Sequence, residues 1–261
     1  MKTFCFTVDD NIRFMKELTC SGYEDLFEHP YLAMYRRLHM RFGLKVQLNL
    51  FYREAAFDLS RMSDAFKAQW QQASGWLKLS FHSELENEWP YKKADYDEVD
   101  RDCTRMHKEI LRFAGAASQA GTTTIHYCST TEAGVRALKA NGVRGLLGLF
   151  GEKKDPQTSY SLPEDTAALI REGQILSKDG MAFAPIDIVL NCFSKEEILK
   201  KLEGLSEREH LWVMIHEQYY YADYPWYQPD FEEKLTAVFQ TLTERDYKSC
   251  FFEELISHCD I

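Results

Sequence analysis

Asp9 and Asp10 close the first apolar run of the chain, Met1-Lys-Thr-Phe-Cys-Phe-Thr-Val. Two adjacent carboxylates can divide metal binding and proton transfer between them. Successive side chains of a strand face opposite ways, so one of the pair is expected to reach an ion while the other takes a proton. The competing expectation is a helix cap. Asp9-Asp10-Asn11 precedes Ile12-Arg13-Phe14-Met15, and short acidic side chains accept hydrogen bonds from free helix amides.

More candidates recur at the ends of other strand-like runs. His82 follows Trp76-Leu-Lys-Leu-Ser-Phe, His126 follows Thr122-Thr-Thr-Ile, Asp187 lies in Pro-Ile-Asp-Ile-Val, and His216 follows Leu211-Trp-Val-Met-Ile. A lone strand histidine is commonly structural; three at equivalent positions point to convergence on one place. His29, His39, His107, His210 and His258 fall in helical or loop patterns and are assigned no role.

The elements that must carry these groups alternate. Strand patterns run over 3–8, 44–51, 76–81, 122–127, 143–149, 186–190, 211–215 and 247–252, and helical patterns over 30–42, 63–73, 96–117, 131–141, 163–172, 194–202 and 229–245. Alternation of this kind builds a parallel sheet with helices outside. Seven or eight units, with no Gly/Pro/Ser-rich divider, favour a barrel forming one domain over residues 1–261. In such barrels catalytic groups stand at the C-terminal ends of strands, where these candidates fall. The polar stretch 151–158 reads as an exposed excursion, and 173–185 as an extra hairpin on the barrel rim.

The 41 acidic and 31 basic residues leave a net charge of −10, which repels phosphate backbones and anionic lipid and argues against nucleic-acid or membrane binding. No apolar stretch nears the roughly 18 residues of a membrane span. Met1-Lys2 leads directly into a strand without a secretory leader pattern, so a cytoplasmic location is expected. The seven cysteines are scattered and never form Cys-x-x-Cys, which indicates neither a disulfide framework nor a thiolate zinc site.

Thr7-Val8-Asp9-Asp10-Asn11 resembles the Thr-Phe-Asp-Asp-Gly signature of the polysaccharide deacetylases, the NodB-homology or carbohydrate esterase family 4 group. Later motifs follow in the family's order. Phe81-His82-Ser83-Glu84-Leu85-Glu86 resembles His-Ser/Thr-x-x-His, Ile125-His126-Tyr127 falls where the family has Arg-x-Pro, Pro185-Ile186-Asp187 where it has an Asp-bearing strand, and Val213-Met214-Ile215-His216 resembles Leu-x-Leu-His. Three departures mark a divergent branch: Asn11 replaces Gly, Glu86 stands where the second metal histidine belongs, and the arginine that orients the catalytic aspartate is missing.

The resemblance implies an α/β fold, a distorted (β/α)7 barrel, and metal-assisted hydrolysis. It implies Asp9 as general base, Asp10 and His82 as metal ligands, His216 as the acid that protonates the leaving group, and Asp187 as the group that holds His216 protonated. Glu86 and His126 both remain open as third ligand, since carboxylate and imidazole each suit Zn2+; mixed ligation also admits Mn2+, Co2+ or Ni2+.

The segment from His216 to Tyr227 carries six aromatic residues. Tyr219, Tyr220 and Trp226, with Trp89 of Trp89-Pro90-Tyr91 on the opposite wall, are expected to pack on a sugar ring, or else to close the barrel end as a lid. The leading expectation is a hydrolase removing an acyl group from an N- or O-acylated carbohydrate or related small molecule. An inactive carbohydrate-binding barrel and a hydrolase of other C–N bonds are the alternatives. A glycosidase ranks last, because adjacent carboxylates are poorly placed to flank a glycosidic bond at about 5 to 9 Å.

Overall fold

The computed structural model describes residues 1–86, 90–150 and 160–256. Its elements in chain order are β1 (Thr3–Asn11), α1 (Arg13–Cys20), α2 (Pro30–Phe42), β2 (Val46–Phe51), β3 (Arg53–Glu54), β4 (Phe57–Asp58), α3 (Lys67–Ala73), β5 (Leu77–Ser83), α4 (Tyr96–Phe113), β6 (Thr122–Thr123) and α5 (Glu132–Ala140). There follow β7 (Gly145–Gly148), α6 (Glu164–Arg171), β8 (Leu176–Lys178), β9 (Met181–Pro185), β10 (Ile188–Val189), α7 (Lys195–Gly204), β11 (His210–His216), α8 (Phe231–Glu244), β12 (Lys248–Ser249) and α9 (Phe252–Ile256).

Two parallel arcs make the wall: β10-β11-β1-β2-β5 and β6-β7-β9. A parallel bridge between Leu79 and Gln119, reinforced by the Ala120 amide donating to the Leu79 carbonyl at 2.8 Å, joins β5 to the chain entering β6. On the other side β9 leaves β7 at Pro185, and β10 takes up pairing with β11 three residues later. Counting β9 and β10 as one wall position, β1, β2, β5, β6, β7, β9/β10 and β11 form a distorted (β/α)7 barrel. Pro185, which has no amide hydrogen to give a ladder, stands at the changeover.

Every residue of β1 is buried, as expected of a strand with helices on one side and the barrel interior on the other. α2 shows how the helices are delimited: Pro30 opens it and Gly43, at φ 65°, closes it in the left-handed conformation glycine adopts without penalty. The interior of β2, β5 and β6 is polar. Gln47 Nε2 donates to Asn49 Oδ1 at 2.8 Å and to the Thr122 carbonyl at 3.0 Å, Thr122 Oγ1 donates to Gln47 Oε1 at 3.0 Å, and Ser80 Oγ donates to Asn49 Oδ1. These buried groups satisfy one another and form a fixed column beneath the mouth.

Some sequence expectations shift. The hairpin expected over 173–185 exists, with β8 antiparallel to β9, but β9 is itself a wall strand paired with β7. Met181-Ala-Phe-Ala-Pro lacks the β-branched residues that mark a strand. The strand expected over 122–127 ends at Thr123, where the chain turns. The run 247–252 divides between β12 and α9. The excursion expected over 151–158 lies outside the described residues. Among the described residues no helix is long and apolar enough to cross a membrane.

Candidate active site and metal centre

The site lies where strand regularity breaks. Pairing of β1 with β2 passes from Val8 opposite Leu48 to Asn11 opposite Leu50, so Asp9 and Asp10 together face the single residue Asn49. Asp10 takes φ 63°. Pairing of β2 with β5 passes from Leu50 opposite Phe81 to Phe51 opposite Ser83, which makes His82 the extra residue. His126 opens a short 3-10 turn in which Tyr127 and Cys128 have φ 61° and 52°. Bulges and left-handed residues re-aim side chains, and they gather at functional rims.

That geometry corrects the premise of alternation. Asp9 and Asp10 do not point to opposite faces; both line one cavity of about 430 Å3 with His82, Glu86, His126 and His216. The bulge at Asp10 turns its side chain back beside Asp9.

Asp10 Oδ1 lies 3.0 Å from His82 Nε2 and 3.2 Å from His126 Nδ1, and the two imidazole nitrogens are 3.1 Å apart. Three donors at such spacings can share one ion at roughly 2.0 to 2.2 Å from each. Among the described residues these three form a group able to hold a metal ion. The hydrogen-bond partners favour it. His82 Nδ1 faces the Thr124 carbonyl at 2.5 Å, which can only accept, so Nδ1 carries the proton and Nε2 offers its lone pair. Gln218 Nε2 donates to Asp10 Oδ2 at 2.8 Å, leaving Oδ1 toward the imidazoles. Nitrogen and oxygen donors in this arrangement fit a divalent cation of the zinc, cobalt, nickel or manganese kind.

Asp9 and His216 flank this group. Asn49 Nδ2 donates to Asp9 Oδ1 at 2.6 Å. Because Asn49 Oδ1 already accepts from Gln47 and Ser80, its amide is oriented for that bond. His216 Nδ1 pairs with Asn191 Oδ1 at 2.8 Å, which turns Nε2 into the cavity 4.0 Å from Asp10 Oδ2.

Burial, and then the neighbouring Asp10, push the Asp9 carboxyl well above the ordinary carboxylate range against the Asn49 hydrogen bond. Burial also opposes ionisation of Asp10, but His216 and the adjacent imidazoles of His126 and His82 outweigh it and hold Asp10 well below that range. Burial lowers His82 and His216, with Asp10 acting in the opposite direction on each.

The structure brings Asp9, Asp10, His82, His126, Glu86 and His216 to one cavity, and places His126 rather than Glu86 with Asp10 and His82. Asp187 departs from its expected place. Its Oδ2 accepts from the Trp212 amide at 2.9 Å, near the middle of the wall, and Asn191 is the side chain that holds His216. Asp187 precedes β10 and Asn191 follows it, so the three intervening residues carry the chain up to the rim.

The aromatic segment divides. Tyr219, Tyr224 and Trp226 line the cavity, with ring centroids 5.2 and 5.5 Å apart in succession. Tyr220 turns away, packing on Tyr31 at 5.1 Å and Phe231 at 5.6 Å. Trp89 lies outside the described residues. Tyr91 of the same patch is buried, its hydroxyl accepting from the Glu84 amide at 2.9 Å and donating to Asp102 at 3.2 Å. Nor do the acidic residues cap α1: the amides of Ile12, Arg13 and Phe14 all donate to Glu217. Asn49, Asn191, Glu217 and Gln218 carry no motif in the sequence; the only signal at two of them is adjacency to His216.

No family model and no curated relative matches the chain. Solved structures do. A putative polysaccharide deacetylase from Mycobacterium smegmatis matches with TM-score 0.55 at 11% identity, over 98% of this chain and 90% of that one. The fold is the deacetylase barrel. A peptidoglycan N-acetylglucosamine deacetylase matches with TM-score 0.50 at 11% identity, over 97% of this chain and 86% of the other. The same barrel occurs in larger proteins: 4-alpha-glucanotransferase from Thermococcus litoralis matches with TM-score 0.63 at 13% identity, covering all of this chain, which spans 41% of that protein's length.

Proposed function

We propose that the protein is a metal-dependent hydrolase that removes an acyl group from an N- or O-acylated carbohydrate or a related small molecule. The observation that carries this reading is the joint placement of Asp10, His82 and His126 on one ion-sized triangle, with Asp9 and His216 beside it in the same cavity. The deacetylase barrel, seen also in proteins named as deacetylases, supports it.

Asp10, His82 and His126 would hold the ion, with Zn2+ the first choice for their donor atoms. When bound, a divalent cation lowers the pKa of a water and polarises an acyl carbonyl. Asp9 takes the proton of the attacking water. Asn49 keeps one carboxylate oxygen occupied so that the other is free for that transfer. His216, aimed by Asn191, delivers a proton from Nε2 to the leaving amine or alkoxide. Tyr219, Tyr224 and Trp226 offer apolar faces against which a sugar ring packs. Asp187, bonded to the Trp212 amide, has no part in this scheme.

Metal-free protein is to be reconstituted singly with Zn2+, Co2+, Mn2+ or Ni2+ and screened for acetate release from N-acetylated and O-acetylated sugars. Release with at least one metal is expected, and Asp9→Asn should reduce it by about 10²–10⁴-fold while the metal stays bound. Sugar binding without acetate release in every loaded form would identify a binding barrel instead. Undiminished release by Asp9→Asn would remove Asp9 from the base role.

A further inference from the structure

Glu217 is a carboxylate with no exposed surface. Its Oε2 accepts from the amides of Ile12 and Arg13 at 2.7 and 3.0 Å, and its Oε1 from the Phe14 amide at 2.8 Å and the Tyr221 hydroxyl at 3.2 Å. The three amides belong to the start of α1, which has no side-chain cap of its own because Ile12 stands at that position. Glu217 thus supplies, from the far end of the chain, the cap that a residue among 9–11 would provide in an ordinary strand-to-helix turn.

Those residues are consequently free for other work. Asn11 instead donates to the Val8 and Asn49 carbonyls at 2.5 and 3.0 Å, closing the bulge from within. Asp10 keeps a left-handed backbone, a conformation that a non-glycine residue holds only where its surroundings impose it. β11 pairs with β1 so that His216 lies opposite Asp9, which puts three consecutive residues around the turn. His216 faces Asp10 across the cavity, Glu217 grips the amides just beyond it, and Gln218 donates to its Oδ2.

We propose that Glu217 is a positioning residue of the metal centre: by holding the amides of residues 12–14 it fixes the β1–α1 turn, and with it the place of Asp10 relative to His82, His126 and His216. The proposal rests on the metal reading for its first measurement. Its specific content is that this clamp sets ligand geometry as well as helix stability.

Glu217→Gln places an amide NH2 against backbone donors, and Glu217→Asp keeps the carboxyl group but withdraws it by one methylene. Each is to be titrated with Co2+ alone, following affinity and the visible d–d spectrum. Leu202→Ala, a cavity in α7 away from the site, serves as the control for lost stability. Both Glu217 variants should bind Co2+ at least about tenfold more weakly with an altered spectrum. Leu202→Ala should lower the melting temperature yet bind within about twofold of the parent. Unchanged affinity and spectrum in a folded Glu217 variant would overturn the proposal. A parent protein that takes up no Co2+ overturns the metal reading instead, and amide exchange with imidazole 15N shifts then decides on the clamp. Faster exchange across residues 10–14 of Glu217→Asp together with displaced His82 resonances supports positioning. Faster exchange at residues 12–14 with His82 unmoved reduces Glu217 to a helix cap and refutes it.

Discussion

The two arcs of the barrel hold their functional side chains differently. β1, β2, β5 and β11 run for six to nine residues, and the groups at their ends have fixed partners: Asp9 with Asn49, Asp10 with Gln218, His82 with the Thr124 carbonyl, His216 with Asn191. β6, β7 and β9 have two to five residues, and this arc contributes His126 from a turn with two successive left-handed residues. His126 Nδ1 faces Asp10 and His82, but its Nε2 is buried without a hydrogen-bond partner among the described residues. Long, well-paired strands thus bring preorganised groups, whereas the short arc brings a ligand oriented mainly by ring packing on Phe51, 4.9 Å away, and on Tyr127 at 4.6 Å.

Removing ligands one at a time tests that contrast most severely. His82→Ala takes away an imidazole whose tautomer is already set, and stoichiometric Co2+ uptake in calorimetry should be lost. His126→Ala should leave measurable binding, weakened by about 10- to 100-fold. Equal losses would mean that the two arcs are equally organised. A smaller effect is expected at Asn49. Asn49→Ala removes the amide that bonds Asp9 Oδ1 and the oxygen that accepts from Gln47 and Ser80, at a cost of about 1–3 kcal/mol. On any responsive substrate kcat should fall by about 5- to 150-fold with KM nearly unchanged, and a change confined to KM would assign Asn49 to substrate binding.

The smallest effect concerns Asp187, at the seam between the two arcs and outside the cavity. Burial pushes its carboxyl up to about 6, against the Trp212 amide bond. The folded chain therefore holds this proton more tightly than the unfolded chain, so stability from this group declines as pH rises from near 4 through 6 and stays lowered above that. Asp187→Asn keeps an oxygen for the Trp212 amide and removes the charge. Its melting temperature should exceed the parent's by about 2–4 °C at pH 8 and match it at pH 3.5. A gain of the same size at both pH values would show that charge is not the cause.

Much of the architecture is legible in the residues themselves. α2 spans 30–42 as its Pro and Gly boundaries dictate, and the chemistry-bearing residues stand at strand ends, where a barrel collects them. What escaped is what depends on contact across the chain. Asn49 and Gln218 are ordinary amides in sequence and become specific only beside Asp9 and Asp10, 40 and 208 residues away. Alternation suggested that the Asp pair would split, because an unpaired residue inserted against β2 leaves no mark in composition. Local sequence points to neighbouring residues for the helix cap, whereas the molecule supplies it from beyond β11.

The aromatic segment after His216 is pinned along its length. Tyr220 is seated on Tyr31 and Phe231, Arg13 holds Asp223 through two bonds of 2.6 and 2.7 Å, and the Gln228 amide returns to the Tyr219 carbonyl at 2.9 Å. The backbone that carries Tyr224 and Trp226 is therefore tied down on both sides of the pair. A molecule approaching Asp9 would pass an entrance whose frame is built in before it arrives.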